Sequence, residues 1–339
     1  MERNKKNIFH FILSVFPLII IFFGVDVFAN SSDLDYSIQP IFPPNQQDNH
    51  VAYYDLFARP GESQDIKFQL FNDSDDKREF KVEVNDADTS DGGTIVYYNN
   101  DAKLLSSPKF TDMVLEDSKK QKIVVEGHSS KVVYVNIQYP SEKIMGTILG
   151  GFHIYEIGTK KEHINQTGIN IKNKFSYSLG VKIQESKEEV IPELEIGEVK
   201  LNAKNYHPVL SVELRNNARA IASDLDIDFL ISDSKNSEVK KYSINKGKMA
   251  PISNMYVRIP VELRQLKPGK YTLIGQATST AGQWEWKKEF IVSKENVKNI
   301  KNNTVKYFEF SKYIYLIMML EILLVTLTIV WIVKNRRKK

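Results

Sequence analysis

The chain of 339 residues has no cysteine. That removes thiol nucleophiles, cysteine zinc sites, thioester crosslinks and every disulfide staple. Histidine is scarce and scattered: His10, His50, His128, His153, His163 and His207 include no pair four residues apart and no His-Glu-x-x-His. A zinc site is therefore not expected. There is no Gly-x-Ser-x-Gly elbow, and the many carboxylates single out no glycosidase pair. The one glycine-rich stretch, Gly146-Thr-Ile-Leu-Gly-Gly151, has neither a Lys-Ser/Thr after its glycines nor a helix to follow. It reads as a strand with close contacts, or a bulge, and not as a phosphate loop. Positive charge is missing where nucleic acid would need it. Residues 30–311 hold 37 Lys+Arg against 39 Asp+Glu, so the overall +4 comes from the two ends. No amphipathic 3.6-period segment of three or more turns lies between residues 30 and 300, and no Leu-Pro-x-Thr-Gly sorting signal precedes the last apolar run. No metal and no cofactor are expected, and no catalytic set stands out.

What is present starts at the ends. Residues 1–29 combine Arg3, Lys5 and Lys6 with an apolar run from Ile8 to Phe23 and the triplet Val27-Phe28-Ala29. This is the grammar of a signal peptide cleaved after Ala29. Near the other end, Tyr313–Val333 is almost unbroken apolar sequence, and its residues as a helix rise about 31 Å, enough for a bilayer core. The basic residues 334–339 are expected to stay in the cytoplasm, so the intervening chain is expected outside a single-pass membrane anchor. Glu321 inside that span is either tolerated by an otherwise apolar helix or turned toward a partner helix.

Between the ends the sequence alternates. Ile66, Phe68 and Leu70; Phe80, Val82 and Val84; Val133, Val135 and Ile137; Tyr177, Leu179, Val181 and Ile183; Leu225, Ile227, Phe229 and Ile231 all recur with period two, the mark of strands buried on one face. Turn signals separate them, among them Asn72-Asp-Ser-Asp-Asp76 and Lys267-Pro-Gly269. About 280 residues are enough for two domains, and core burial alone has to stabilise them. The expectation is all-β: two β-sandwiches in tandem at 30–162 and 163–294, divided in the polar stretch 158–170. A flexible charged stalk (295–312) then leads to the membrane.

Four local patterns invite chemistry. Pro43-Pro-Asn-Gln46 with Tyr54-Asp55 and Pro60-Gly61 reads first as an N-terminal strand and its turn. As a ligand surface, Asn45, Gln46, Tyr54 and Asp55 would offer amides and a phenol to sugar hydroxyls. Asp224-Leu-Asp-Ile-Asp228 lacks the glycine and glutamate of a calcium loop, so its acids read as the wet face of a strand. Asp86, Asp88 and Asp91 read as turn residues. Trp284 and Trp286 share one strand face, either in the core or as a surface platform.

Taken together, Pro43-Pro-Asn-Gln46, Tyr54-Asp-Leu56, Pro60-Gly61, Asn85, Ala87, Thr89, Gly93, Tyr97 and Gly146–Gly151 resemble the WxL-interacting protein family. So do Tyr177, Met249-Ala-Pro251, Pro268-Gly-Lys-Tyr271 and Trp284-Glu-Trp-Lys-Lys-Glu-Phe290 further on. One departure is visible: Ile252-Ser253 stands where Asn-Ser would be expected. The resemblance implies immunoglobulin-like sandwiches on a Gram-positive cell surface. It implies peptidoglycan binding by the first and binding of WxL-type surface proteins or a host extracellular matrix protein by the second, without catalysis. An accessory subunit of a membrane secretion or sensing complex is the alternative.

Overall fold

A computed structural model describes residues 35–99, 102, 104–157, 175–303 and 310–336. The leader with Ala29 and the polar stretch 158–170 lie outside the described residues.

The first sandwich contains β1 (Tyr36–Ile41), β2 (Tyr54–Phe57), β3 (Ser63–Asn72), β4 (Arg78–Asp86), the short pair β5 (Asp88–Thr89) and β6 (Ile95–Val96), single turns α1 (Phe110–Met113) and α2 (Glu116–Lys119), then β7 (Lys120–Val125), β8 (Ser129–Gln138), β9 (Thr147–Glu156) and β10 (Ser176–Gln184). Its sheets run β1-β3-β8 and β2-β10-β9-β4-β7, with β2 parallel to β10 and every other pair antiparallel. The predicted alternation is what closes the core. Ile66, Phe68 and Leu70 face Phe80, Val82, Phe152, Ile154 and Val181, all with no more than trace exposure. Removing that much apolar surface from water supplies the main driving force, at about 25 cal/mol per Å². Gly150 makes room for Phe110, whose ring a Cβ there would strike, so the glycine-rich stretch is a strand with close contacts, as the sequence suggests.

The second sandwich contains β11 (Leu194–Lys204), β12 (His207–Asn216), β13 (Ala222–Asp233), β14 (Glu238–Met249), β15 (Asn254–Pro260), β16 (Gly269–Ser279) and β17 (Gly282–Val292). Its sheets run β11-β12-β15 and β14-β13-β16-β17. Asp224, Asp226 and Asp228 are exposed while Leu225, Ile227 and Phe229 are buried, the wet and dry faces of β13. Trp284 and Trp286 lean on the core half-buried, and Trp286 Nε1 donates to Leu194 O at 3.1 Å.

Two expectations change. The strand after the polar stretch does not open the second sandwich: β10 pairs with β9 from Ser176↔Tyr155 to Gln184↔Thr147, and Leu179, Val181 and Ile183 lie in the first core. The polar residues 158–170 therefore connect two adjacent antiparallel strands, and polarity alone does not distinguish that from a domain linker. The start of the expected stalk is α3 (Lys294–Asn303). Ser293 Oγ accepts the Asn296 N–H at 3.0 Å as an N-cap, and Val297 and Ile300 pack on the second core. Beyond it, α4 (Phe310–Arg336) contains the one described helix long and apolar enough to cross a membrane, at Leu316–Asn335.

The sandwiches are joined by more than the covalent chain. The β5–β6 hairpin of the first lies on β14 and β15 of the second. Thr89 Oγ1 accepts the Ala250 N–H (3.0 Å) and bonds Ser253 Oγ (3.0 Å), Lys248 N donates to Gly93 O (2.7 Å), and Arg258 Nε reaches Asp91 at 2.6 Å. From the other side Arg219 O accepts the Thr147 N–H at 2.6 Å, and Arg219 Nη1 donates to Pro108 O at 3.0 Å. Ala87, Leu149 and Ala250 form a small apolar cluster at this seam, flanked by Ile95, Tyr97 and Ile221.

Candidate functional site

The segment Phe42–Gln47 straps one side of the first sandwich, and most of the residues favoured from sequence sit in or under it. Asn45 Nδ2 donates to Phe57 O (3.1 Å) and to Gln64 Oε1 (3.0 Å), while Gln64 Nε2 donates back to Asn45 Oδ1 at 2.8 Å. Gln46 Nε2 donates to Asp48 O and Tyr53 O, and its Oε1 accepts the Asp55 N–H. Both amides thus cap main-chain groups, and both line an open groove of about 1150 Å³ with Arg59, Gln64, Tyr139 and Lys187. Tyr54 is elsewhere. It is fully buried, its phenol donates to Lys67 O, and burial holds its ionisation well above the usual tyrosine range. Asp55 is buried too, paired with Lys182 at 3.1 Å and accepting from Gln47 Nε2 at 3.1 Å. Tyr54 and Asp55 therefore hold the strap to the sheet and offer no ligand surface. The reason is parity: Tyr54 and Leu56 point inward on β2, and Asp55 is covered by Gln47 and Lys182.

A second arrangement brings together residues that the sequence shows only as separate motif positions. On the outer face of the five-stranded sheet, Gly151 and Gly180 stand opposite each other across β9 and β10. Tyr97 lies over both; a Cβ on Gly151 would strike its ring, and one on Gly180 would stand 3.0 Å from its Oη. Asn85 Nδ2 fixes the segment by donating to Tyr97 O at 2.8 Å. Burial pushes the Tyr97 phenol up to about 12. Beside it, His153 lies 4.9 Å from Tyr155 and 6.2 Å from Tyr98, ring centre to ring centre. Lys81 stands over Tyr155 at 5.8 Å and pairs with Glu83 at 2.6 Å. Burial lowers the His153 pKa against the opposing pull of Glu83, so its ring is neutral at neutral pH. Its Nδ1 is buried with no hydrogen-bond partner among the described residues. Asn85, Tyr97 and Gly151 are among the residues that carry the resemblance drawn from the sequence, whereas His153 and Tyr155 show there only as outward parity on β9.

The acids expected in turns are structural, and two of them lie in strands, Asp86 at the end of β4 and Asp88 at the start of β5. Asp86 accepts from the Thr111 N–H and hydroxyl (2.9 and 2.8 Å), tying α1 to β4, and Asp88 accepts the Thr89 N–H. Among the described residues no group of three or more His, Asp or Glu side chains is placed to hold a metal.

Two family profiles match the chain. Residues 36–156 match the peptidoglycan binding domain of WxL Interacting Protein, and residues 166–302 match its host binding domain. The chain belongs to the WxL-interacting protein family. Its motif residues acquire physical roles in the structure. Tyr97, Asn85 and Gly151 build the outer aromatic face, and Met249-Ala-Pro251 forms the seam between the sandwiches. No curated protein matches the chain. Solved structures with a similar course include bacterial chaperones. One is the CsuC–CsuE chaperone–tip adhesion subunit complex of Acinetobacter baumannii (12% identity, 74% of this chain and 97% of that one, TM-score 0.33). Another is the CupB2 chaperone of Pseudomonas aeruginosa (12% identity, 66% and 91%, TM-score 0.26).

Proposed function

We propose that this protein is a non-enzymatic scaffold of the cell surface, anchored by α4, with the C-terminal basic residues inside. Its first sandwich holds peptidoglycan on the outer aromatic face, and its second presents a surface to a WxL-type or host matrix protein. The observation that carries the reading is the cluster of Tyr98, His153 and Tyr155 beside the Lys81–Glu83 pair, on the domain that matches the peptidoglycan-binding profile. Aromatic rings offer flat apolar faces to the C–H side of a sugar, and the flanking charged groups offer directed hydrogen bonds to its hydroxyls. The full-length protein in detergent is expected to sediment with insoluble peptidoglycan at physiological salt. Tyr98→Ala with Tyr155→Ala should cut the bound fraction about tenfold, a loss of about 1.4 kcal/mol, without shifting the unfolding midpoint. Full retention by the double variant would move the glycan elsewhere; no sedimentation of the unaltered protein would end the wall-binding reading.

One observation favours the accessory-subunit reading in part. Glu321 is exposed on α4, within the span fit to cross a membrane, where an ionisable group is costly unless it meets a partner. Crosslinking in membranes should lose a partner on Glu321→Leu; an unchanged crosslink pattern counts against it.

A further inference from the structure

The pairing of β3 stops short on one side. β8 pairs with β3 along its whole length, Ser63 to Asn72, whereas β1 pairs only with Lys67 to Asn72. After Ile41 the chain leaves that sheet. Phe42 packs edge-on against Tyr54, with ring centres 5.9 Å apart, Pro43-Pro44 crosses the gap, and Gln46 bridges to Leu56 in the opposite sheet. Ser63, Gln64, Asp65 and Ile66 are thus left with a strand on one side only, and the groove behind the strap runs along this edge. In an antiparallel ladder alternate residues aim both their N–H and C=O at one neighbour. Two of these four therefore direct main-chain groups into the groove. The strap does not supply a substitute: prolines at 43 and 44 have no N–H to give. The reciprocal Asn45–Gln64 amide pair, with Tyr139 Oη donating to Gln64 at 2.6 Å, braces the gap from within.

We propose that this edge is completed by an extended peptide segment of a partner protein, lying antiparallel to β3 in line with β1. Main-chain pairing would hold it, and side-chain fit would select it. Its inward side chains would meet Phe42, Tyr139 and the Asn45–Gln64 pair, so small residues fit there. Its outward side chains would pass a rim with Arg59, Lys67 and Lys187 against Glu62 and Asp65. Arg59 and Glu62 pair with each other at 3.4 Å and cancel, which leaves Lys67 and Lys187 against Asp65, a positive surplus that favours an acidic outward residue. The start of the chain is a poor occupant. Cleavage after Ala29 would leave Asn30–Leu34 ahead of Asp35, a reach of about 17 Å, too short to double back along the whole of β1 at about 20 Å. The inference does not depend on where glycan binds.

The test pans full-length protein in detergent against a phage library of random peptides about twelve residues long, and resynthesises those recovered. The expected peptides slow amide exchange at Ser63–Ile66. N-methylation at every second peptide residue weakens them about tenfold, with little effect at the residues between. Lys67→Glu with Lys187→Glu weakens the acidic ones at unchanged unfolding midpoint. The proposal is overturned by recovery of no peptide that protects this edge, or by an N-methyl scan without period two. It is equally overturned by protection of the same amides through self-association alone, or by soluble wall fragments when no peptide protects them.

Discussion

Asn72 in the first sandwich and Asn216 in the second close equivalent corners. Each is fully buried at the end of the central strand of a three-stranded sheet. Asn72 Nδ2 donates to Asp76 O (2.8 Å), Val125 O (3.1 Å) and Glu126 O (3.0 Å), while its Oδ1 accepts the Ser74 N–H. Asn216 Nδ2 donates to Ala220 O (2.7 Å) and Ala250 O (3.0 Å), while its Oδ1 accepts the Ala218 N–H. The next residue in each case, Asp73 or Asn217, donates its N–H at 2.8 Å to the residue ahead of the first strand, Asp35 or Glu193. What lies outside the corner differs. The first corner ends in an acidic, solvent-facing turn. The second carries Arg219, Ala250 and Ser253, which dock on the first sandwich. One architecture used twice has kept its internal bracing and turned one copy's free end into a joint.

The largest effect expected from breaking this comparison is on the brace. Asn72→Ala and Asn216→Ala each strand two or more carbonyls, at about 1–3 kcal/mol apiece, so each should cost about 3 kcal/mol. The three tryptophans are Trp284, Trp286 and Trp331, none in the first sandwich. Tryptophan fluorescence in denaturant should therefore register Asn216→Ala strongly and Asn72→Ala weakly. Equal shifts would mean that the seam fuses both sandwiches into one cooperative unit. Next in size is Gly146→Ala. Gly146 has φ +86°, and a Cβ there would strike Arg219 O, so about 2 kcal/mol of combined strain and collision falls on the joint. Solution scattering should show a more extended molecule with both sandwiches still folded.

The two copies also treat buried acids oppositely. In the first, burial raises the Asp86 pKa despite the bonds from Thr111. In the second, burial also pushes Glu213 upward, but bonds from Arg215, Glu198 N–H and Asn254 outweigh it and the net pKa is lowered. A raised acid contributes stability below its unfolded pKa, about 3.9, that is lost as pH rises through its folded value. A lowered acid contributes stability above about 4.3 that is lost as pH falls through its folded value. Midpoints measured across pH 3 to 7 should flatten on the low side for Glu213→Gln and just above pH 4 for Asp86→Asn. The smallest effect is expected at Ile252, a β-branched residue held at φ +44° in the joint. Asparagine tolerates that region far better, but Ile252 is only 4% exposed and its apolar burial would be given up; the two effects oppose each other, so Ile252→Asn should move the thermal midpoint little.

The sequence made the strands legible because each buries alternate residues and so repeats every second position, as Ile66, Phe68 and Leu70 do. It made Gly150 and Gly151 legible as close contacts, but not what they contact: Phe110 and Tyr97 arrive from other parts of the chain. The same limit hid the joint. The hairpin at 88–96 reads as a turn, while its docking partners lie some 160 residues on, and no local pattern encodes that distance. Helix α3 is hidden in the sequence because ten residues with one buried position, Ile300, and one half-buried, Val297, carry too little periodicity to stand out from a Lys/Asn-rich linker. Tyr54 is ambiguous in the sequence for a different reason. A phenol suits either a sugar or a core with an acceptor nearby, and only the neighbouring Leu56, at the same parity, favoured the core.

Helix α3 also bears on how the molecule would respond to being pulled. A protein fixed to a membrane at one end and to a rigid mesh at the other is stretched whenever the two move apart. Tension entering through α4 would reach the second sandwich at Val292, the last residue of β17, which pairs with Gly269. Drawn from that end, an antiparallel ladder opens like a zip, one rung at a time, its weakest mode. The contacts of Val297 and Ile300 with the core stand in front of that zip. Until they give way, tension acts on a packed helix and does not reach the strand.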